Sequence, residues 1–365
     1  MTTRVIVCLD GCGPDTLAAG ETPNLDALAR SGWHTLGEAV VPTVTNVNNT
    51  SIITASYPER HGITSNYLYD PASGREAYME SPDYLLAPTA FRHLADRGRK
   101  ACLLTAKEKL KTLIGDGAVI AESAENPSGW LTARLGPPPG IYSLEVNHWL
   151  LRVARDLLER ERPDMIYVST TDYATHTHAP ESEPSRWNIG EIDRLIGELL
   201  NAANDLEIVI TADHGMNAKN RGLDPEAVLA AAGIAARAVP IIKDRHVVHH
   251  RNLGGAAYVY LRDPATESEA AALLREEVGI EAVLSRRDAA RQYRLRAERI
   301  GDLFLLADGD TVFGTLAAPR EALAVRSHGS LHERTVTIYA SGPGPLAFRP
   351  RANPEVAAWL FADPE

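Results

Sequence analysis

Two apolar runs in the chain end in side chains that could do chemistry. Asp213 and His214 follow the β-branched run 208–212, and Asp10 follows a similar run at 4–9. Runs of this kind are typical of buried parallel strands that are covered on both faces. In open α/β sheets, ligands bind in the crevice outside the carboxyl ends of the strands. The pattern therefore predicts that several strands present metal ligands or catalytic groups at a shared edge.

Further segments offer the same kinds of donor atom. Asp172 and His176 follow the run 165–169, and His328 lies in a Ser-His-Gly loop. Carboxylate oxygens and imidazole nitrogens in this mixture suit Zn²⁺ best, with Mn²⁺ or Fe²⁺ as alternatives. A catalytic zinc needs about three protein ligands, so the six donors predict two ions. Two ions roughly 3.5–4 Å apart can clamp the attacking and leaving oxygens of a displacement at phosphorus.

Thr45 is the candidate nucleophile. It follows the proline-containing extended segment 40–44 and precedes hydroxyl and amide side chains of the kind found at helix N-termini. A metal ion and the positive end of the helix dipole would favour the deprotonated form of its hydroxyl. The alternative is that Thr45 only caps the helix, although Thr43 and Asn46 could cap it equally well.

Composition narrows the class of partner. The chain has 365 residues and a formal net charge of −11, with no long run of Lys or Arg. This charge argues against nucleic acid or an anionic membrane as a general partner. No apolar stretch approaches the length of a membrane span, and the amino-terminal run is too short for a signal peptide. We expect a soluble, cytoplasmic protein that binds a small anion, and a homodimer is left open.

The elements that must position these side chains alternate between strands and helices, which indicates an α/β fold. We expect a doubly wound, mostly parallel central sheet with helices on both faces. From about 238 to 307 the predicted strands no longer end in an acid and a glycine loop. This region is predicted to be a smaller inserted α+β lid that covers the site. The catalytic core would then comprise residues 1–237 and 308–365, with the lid at 238–307.

These motifs, taken together, resemble the alkaline phosphatase superfamily. Within it the chain resembles the nucleotide pyrophosphatase/phosphodiesterase-like branch and is most similar to the phosphonoacetate hydrolases. The superfamily motifs are Leu9-Asp10-Gly11, Pro42-Thr43-Val44-Thr45-Asn46, Asp172-x3-His176 and Thr211-Ala212-Asp213-His214-Gly215. The closer similarity includes Asn66-Tyr67, Thr105-Ala106-Lys107-Glu108-Lys109-Leu110, Val247-Val248-His249-His250 and Arg326-Ser327-His328-Gly329.

The resemblance implies the alkaline phosphatase-like fold and a role for each site residue. Asn66 and the backbone amide of Thr45 would bind a phosphoryl oxygen, and Lys107 and Lys109 would bind the substrate carboxylate. The implied ligands are Asp172, His176 and His328 for one zinc ion, and Asp10, Asp213, His214 and Thr45 for the other.

The lysine pair matters because the implied reaction breaks a carbon–phosphorus bond. A carbon leaving group is a poor anion, so its charge must be delocalised into a carboxylate that cations stabilise. The expected reaction is attack of Thr45 on the phosphorus of phosphonoacetate, release of the acetate aci-anion, and hydrolysis of the phosphothreonine. Without the resemblance, the lysines at 107–111 would be interpreted as a solvated helix face.

Three functions other than phosphonate hydrolysis are compatible with part of the sequence. A nucleotide pyrophosphatase/phosphodiesterase-type hydrolase would share the threonine, the asparagine and both metal sites, but its pocket would need an aromatic stacking surface. A cofactor-independent phosphoglycerate mutase would use a serine nucleophile and a longer chain. A metal-stabilised binding protein without activity would be expected to lack a ligand or the nucleophile, and none is missing. The sequence assigns no role to His178, His249 or His250.

Overall fold

The computed structural model of the chain describes residues 2–245, 251–341 and 349–361. None of the helices in these ranges is both long and apolar enough to cross a membrane. The strands are β1 (Thr3–Cys8), β2 (Trp33–Glu38), β3 (Tyr67–Asp70), β4 (Arg75–Tyr78), β5 (Ala101–Thr105), β6 (Ile120–Ser123), β7 (Met165–Ser169), β8 (Leu206–Thr211), β9 (Asn217–Leu223), β10 (Ala236–Pro240), β11 (Ala256–Leu261), β12 (Ile280–Ser285), β13 (Leu303–Ala307), β14 (Thr311–Phe313), β15 (Arg320–Ser327) and β16 (Thr335–Ala340). The α-helices are α1 (Pro14–Ala19), α2 (Pro23–Ser31), α3 (Thr45–Ile53), α4 (Pro58–His61), α5 (Ala90–Ala95), α6 (Glu108–Ile114), α7 (Gly129–Leu135), α8 (Glu145–Arg160), α9 (Tyr173–Thr177), α10 (Glu183–Leu200), α11 (Pro225–Ala231), α12 (Glu267–Arg275) and α13 (Arg286–Tyr293).

A seven-stranded sheet, in the order β2-β16-β8-β1-β7-β5-β6, forms the centre of the fold. The five strands from β8 to β6 run parallel to their neighbours, whereas β16 is antiparallel to both β8 and β2. Val5, Ile6, Val7 and Cys8 are all completely buried. Successive side chains of a strand point to opposite faces, so both faces of the sheet are covered at β1. The predicted α/β fold with a mostly parallel central sheet is confirmed.

The register of the parallel strands brings the polar side chains together. Cys8 of β1 pairs with Ser169 of β7 on one side and with Thr211 of β8 on the other. The three strands therefore end at the same level of the sheet. Asp10 and Asp213 come two residues beyond these paired positions, at one edge of the sheet.

A four-stranded antiparallel sheet, β10-β11-β13-β12, lies in the region predicted to be a lid, except that β10 begins two residues before it, at Ala236. The side chains of Tyr258 and Phe304 pack into the same apolar cluster as the central sheet. The intervening positions Val259, Leu303 and Leu305 instead join a separate cluster with α11 and α12. One face of this small sheet thus packs on the core, and the other packs on α11 and α12. The domain boundaries at 237/238 and 307/308 stay a prediction.

A three-stranded sheet, β14-β9-β15, connects this smaller unit to the edge where the acids emerge. Strand β9 starts three residues after His214, and β15 ends immediately before His328. The pairing of Ser327 with Asn217 fixes the two imidazole-bearing loops relative to each other.

Candidate metal centre

The six carboxylate and imidazole side chains among the predicted metal ligands converge at the carboxyl edge of the central sheet, and all six are buried. Two groups of three donors each have their ligand atoms within 4.8 Å of one another: Asp10 with Asp213 and His214, and Asp172 with His214 and His328.

His176 completes the cluster from the first turns of α9. Its Nε2 lies 3.0 Å from Oδ2 of Asp172, and the Nε2 of His328 lies 3.7 Å from the same oxygen. The ring of His328 also stacks on that of His214, with centroids 3.7 Å apart. The structure brings the six donors into one cluster, and how they divide between two ions stays a prediction.

The three imidazoles are all oriented by backbone carbonyl groups. A carbonyl oxygen can only accept a hydrogen bond, so the Nδ1 atom that faces it must carry the proton. Each ring therefore turns its Nε2 toward the cluster, and this is the atom that would bind a metal. The contacts are His176 Nδ1 to Arg326 O at 2.7 Å, His214 Nδ1 to Gly215 O at 2.9 Å, and His328 Nδ1 to Thr43 O at 2.7 Å.

The buried carboxylates of the cluster would be stabilised by a cation. Burial raises the pKa of Asp10, and the neighbouring carboxylates of Asp172 and Asp213 raise it further. Burial lowers the pKa of His328, and His214 and His176 lower it more. Packing carboxylates together away from water is unfavourable unless a positive charge joins them. The donor set and the orientation of its imidazole rings therefore fit divalent metal ions such as Zn²⁺.

Thr45 is the first residue of α3 and faces these donors. Its Oγ1 lies 3.3 Å from Oδ1 of Asp10 and 3.3 Å from Nε2 of His214. Val44 occupies the N-cap position, and no side chain caps the helix. The hydroxyl is thus placed beside the ligand groups instead of serving as a cap, at the positive end of the helix dipole.

Asn66 lies in a loop that is held tightly before the β3–β4 hairpin. The hydroxyl of Ser65 donates to Tyr67 O at 2.7 Å and accepts from Tyr67 N at 2.8 Å. Asn66 is buried, and its Oδ1 has no hydrogen-bond partner among the described residues. The unpartnered atom is an acceptor, whereas a phosphoryl oxygen would have to accept from Nδ2, so the phosphoryl-binding role of Asn66 stays a prediction.

Lys107 and Lys109 do not form a solvated helix face. Each side chain is only 18% exposed. Lys107 Nζ lies 3.4 Å from Oδ1 of Asp172, and Lys109 forms an ion pair with Asp244. Burial lowers the pKa of Lys107, but Asp172, Asp10 and Asp244 together outweigh burial and raise it, so the ammonium is retained. Both lysines line a pocket of about 150 Å³ whose other lining residues are Glu80, Glu125, Ile141, Tyr142, Asp244 and Arg245.

Two asparagines hold the Asp213 loop, and the sequence did not identify them as functional residues. Asn49 Nδ2 donates to Oδ2 of Asp213 at 3.3 Å, and Asn353 Nδ2 donates to the carbonyl oxygens of Ala212 and Asp213 at 3.1 and 3.2 Å. Asn49 belongs to the Asn48-Asn49 pair, which comes just after the 42–46 motif that contains Thr45. The sequence therefore offered a signal for this residue. Nothing in the local sequence around Asn353 indicates this contact.

A fully buried ion pair joins the two histidine loops. Lys219 Nζ lies 2.8 Å from Oε1 of Glu333, and neither side chain is exposed. The other oxygen, Oε2, accepts from the backbone and hydroxyl of Ser330 at 3.0 and 2.8 Å. The carbonyl of Glu333 accepts from Gly215 N at 2.8 Å. Glu333 therefore ties the residue after His214 to the loop that contains His328.

The remaining histidines singled out in the sequence are His178, His249 and His250. His178 is half-buried immediately after α9. His249 and His250, with the rest of the Val247–His250 motif, lie outside the described residues.

Metal binding can be tested by stoichiometry. We expect metal-free protein to take up two Zn²⁺ per chain, and His176→Ala to take up one, because its Nε2 faces Asp172. The measurement is elemental analysis of dialysed protein together with the melting temperature before and after zinc is added. His178→Ala, two residues further along, is the matched control and should retain two ions. Two tightly bound ions in His176→Ala would contradict the ligand assignment.

The chain is similar to known proteins in both sequence and structure. The chain belongs to the type I phosphodiesterase / nucleotide pyrophosphatase family, whose family model matches residues 4–331. That family is part of the alkaline phosphatase superfamily. The chain is also similar to the solved structure of phosphonoacetate hydrolase from Sinorhizobium meliloti 1021 in complex with phosphonoformate. The two are 34% identical with a TM-score of 0.89, over 99% of this chain and 95% of that one.

More distant relatives share the fold or part of the sequence. Murine ectonucleotide pyrophosphatase/phosphodiesterase 5 in complex with AMP superimposes with a TM-score of 0.73 at 16% identity, over 99% of this chain and 94% of that one. An uncharacterized pyrophosphatase/phosphodiesterase of Schizosaccharomyces pombe is 27% identical over 59% of this chain and 45% of its own length. Ectonucleotide pyrophosphatase/phosphodiesterase family member 1 of Mus musculus is 27% identical over 58% of this chain and 24% of its own length. The chain thus covers less than half of these curated relatives.

Proposed function

We propose that the protein is a di-zinc phosphonate hydrolase that converts phosphonoacetate to acetate and phosphate through a phosphothreonine on Thr45. The observation that carries this proposal is the position of Lys107 and Lys109 in a small pocket that adjoins the metal cluster at Asp172. The similarity to a phosphonoacetate hydrolase structure at 34% identity supports it.

The size of the pocket favours a small anion over a nucleotide. Its volume is about 150 Å³, whereas pockets for drug-sized ligands measure roughly 300–1,000 Å³. Tyr142 is the single aromatic side chain among the described residues that line it. A phosphonate whose carboxylate lies one carbon away from phosphorus fits a site with these dimensions and charges.

The chain's own residues have separable roles in the proposed reaction. Asn66 and the Thr45 backbone amide orient the phosphonate so that Oγ1 of Thr45 attacks phosphorus. The electron pair of the breaking carbon–phosphorus bond moves into the carboxylate, where Lys107 and Lys109 stabilise the enolate-like charge. The carbon released from phosphorus takes up a proton, balanced by the proton that the Thr45 hydroxyl loses, and acetate leaves. Water then hydrolyses the phosphothreonine, which restores the Thr45 hydroxyl and releases phosphate. The cations held by the six ligands would supply Lewis-acid neutralisation of the phosphoryl oxygens and lower the pKa of hydroxyl groups near them.

The nucleotide pyrophosphatase/phosphodiesterase activity is the second candidate, because the family model matches most of the chain. Both activities would use Thr45 and the same metal cluster. They differ in what binds beyond the phosphorus, namely a carboxylate or a nucleoside.

A panel of substrates distinguishes the two functions. Zinc-reconstituted protein should be offered phosphonoacetate, phosphonopyruvate, 2-aminoethylphosphonate and an aryl phosphodiester under one set of conditions. We expect the highest kcat/KM with phosphonoacetate, measured as phosphate release. Highest efficiency on the diester, measured as phenol release, would overturn the proposal.

The lysines provide a second test of the substrate. Lys107→Ala and Lys109→Ala should each lower kcat/KM for phosphonoacetate on the order of 10²-fold, because each removes a cation that stabilises the leaving group. Lys111→Ala is the matched control, since this lysine of the same helix pairs with Glu108 instead and should change little. If phosphonoacetate turnover is intact in the first two variants, the proposed carboxylate site is wrong.

A further inference from the structure

Asp244 is paired with Lys109, which is one of the two lysines proposed to bind the substrate carboxylate. Its carboxylate forms an ion pair with Nζ of Lys109 inside the pocket. The same carboxylate contributes to the raised pKa of Lys107. Asp244 is therefore an internal carboxylate in the space where the carboxylate of a bound phosphonate would be held.

The position of Asp244 is built into the fold. Its backbone N–H donates to Oδ1 of Asn252 at 2.9 Å, and Asn252 Nδ2 donates back to Asp244 O at 3.2 Å. The side chain is only 13% exposed. Asn252 itself has a positive φ of 52°, a conformation that asparagine tolerates better than most residues. The main chain therefore holds the acid against Lys109, so the contact is a fixed part of the pocket wall.

The charges of the pocket show what this acid does to an incoming anion. The lining residues comprise three cationic side chains (Lys107, Lys109 and Arg245) and three anionic ones (Glu80, Glu125 and Asp244). The formal charge of these described lining residues is therefore zero. A ligand carboxylate that approaches Lys109 meets the like charge of Asp244 at close range, and such an interaction is strong where water is partly excluded.

We propose that Asp244 is a specificity-determining residue that competes with the substrate carboxylate for Lys109. This inference rests on the proposed function. Asp244 weakens the binding of carboxylate-bearing phosphonates and, for the same reason, promotes release of the carboxylate product. It has no such effect on a phosphonate that carries no carboxylate.

The test compares ligands with and without a carboxylate. Binding of phosphonoformate and of methylphosphonate to zinc-loaded protein is measured by calorimetry in wild type and in Asp244→Asn. We expect Asp244→Asn to bind phosphonoformate about tenfold more tightly, the effect of removing one nearby like charge, while methylphosphonate affinity stays within about twofold. Unchanged or weaker phosphonoformate binding in Asp244→Asn would overturn the inference.

Two further variants separate competition from a general change of pocket charge. Glu125→Gln removes a negative charge from the same pocket, but Glu125 Oε2 accepts from Glu108 N at 2.8 Å and no contact to Lys109 is described. It should give a smaller gain than Asp244→Asn, and an equal gain in both would contradict the proposal. In a Lys109→Met background, Asp244→Asn should give a clearly smaller gain than in wild type, because the contested cation is absent and only the like-charge repulsion is relieved.

The outcome is distinguishable from failure of the proposed function. If wild-type protein does not hydrolyse phosphonoacetate but the tenfold gain is seen, the competition stands and the reaction is wrong. If phosphonoacetate is hydrolysed but the gain is absent, the reaction stands and the role of Asp244 is wrong. A melting temperature within a few degrees of wild type shows that each variant is folded.

Discussion

Thr45→Ala is expected to lower kcat/KM for phosphonoacetate by at least about 10³-fold while leaving the fold intact. Its hydroxyl lies 3.3 Å from both Asp10 and His214, at the first residue of a nine-residue helix. No other hydroxyl of the described residues is recorded in contact with both of these ligands. Removing a covalent nucleophile abolishes the reaction path it supports and leaves only binding and electrostatic effects.

Two variants control for effects on folding. Thr45→Ser keeps a hydroxyl at the same position and should retain measurable turnover. Thr50→Val removes a buried hydroxyl further along the same helix, whose Oγ1 has no hydrogen-bond partner among the described residues, and should retain nearly full activity. Activity in Thr45→Ala close to that of wild type would rule out the nucleophile assignment.

The proposed phosphothreonine intermediate can be detected directly, without measuring steady-state rates. Rapid acid quenching during turnover of phosphonoacetate should trap a phosphoryl group on the peptide that contains Thr45, seen by mass spectrometry. Thr45→Ala should show none. A phosphorylated peptide from another part of the chain would redirect the mechanism to a different nucleophile.

Glu333→Gln is expected to reduce the free energy of unfolding by about 3–5 kcal/mol. The change leaves the ammonium of Lys219 fully buried without a counter-charge, and a lone buried charge is much more costly than a buried pair. It also weakens the contacts that Glu333 makes with Ser330 and Asn217, both at 2.8 Å. The midpoint of urea denaturation measures the loss.

A double-mutant cycle separates the ion pair from the rest. Lys219→Met combined with Glu333→Gln should be more stable than Glu333→Gln alone, because the uncompensated charge is gone. Glu298→Gln is the matched control, since its partner Arg296 is 3.4 Å away on the surface and exposed pairs contribute little. A Glu333→Gln protein as stable as wild type would show that the pair does not hold the loops.

The effect of Glu333→Gln should extend to metal binding. Glu333 contacts Gly215, whose carbonyl orients the ring of His214, and Ser330, two residues beyond His328. The Ser330 contact is made by the altered carboxylate, whereas the Gly215 contact is made by the backbone carbonyl and depends on the position of the main chain. Loosening the first and shifting the second should weaken zinc affinity, measured by competition with a chelator of known affinity.

The class of fold and the grouping of the acidic and imidazole side chains could be predicted from local sequence patterns. Apolar β-branched runs specify buried parallel strands, and such strands deliver the residues after them to one edge of the sheet. Asp10 and Asp213 could be placed together on this basis alone, and the paired register of Cys8 with Ser169 and Thr211 explains why. The motifs around Thr45 and His328 were recognisable because ligand types and glycine loops are local features.

The surroundings of each charge depend on the packing of the sheets. A lysine in a strand or at the start of a helix has the same local sequence whether it is solvated or buried, so the local pattern does not distinguish Lys107 or Lys219 from surface residues, and only the family resemblance indicated a role for Lys107. Their environments depend on Asp172, Asp244 and Glu333, which lie far away in the sequence. Charge pairing is set by distance in space, and that distance exists only once the sheets have packed.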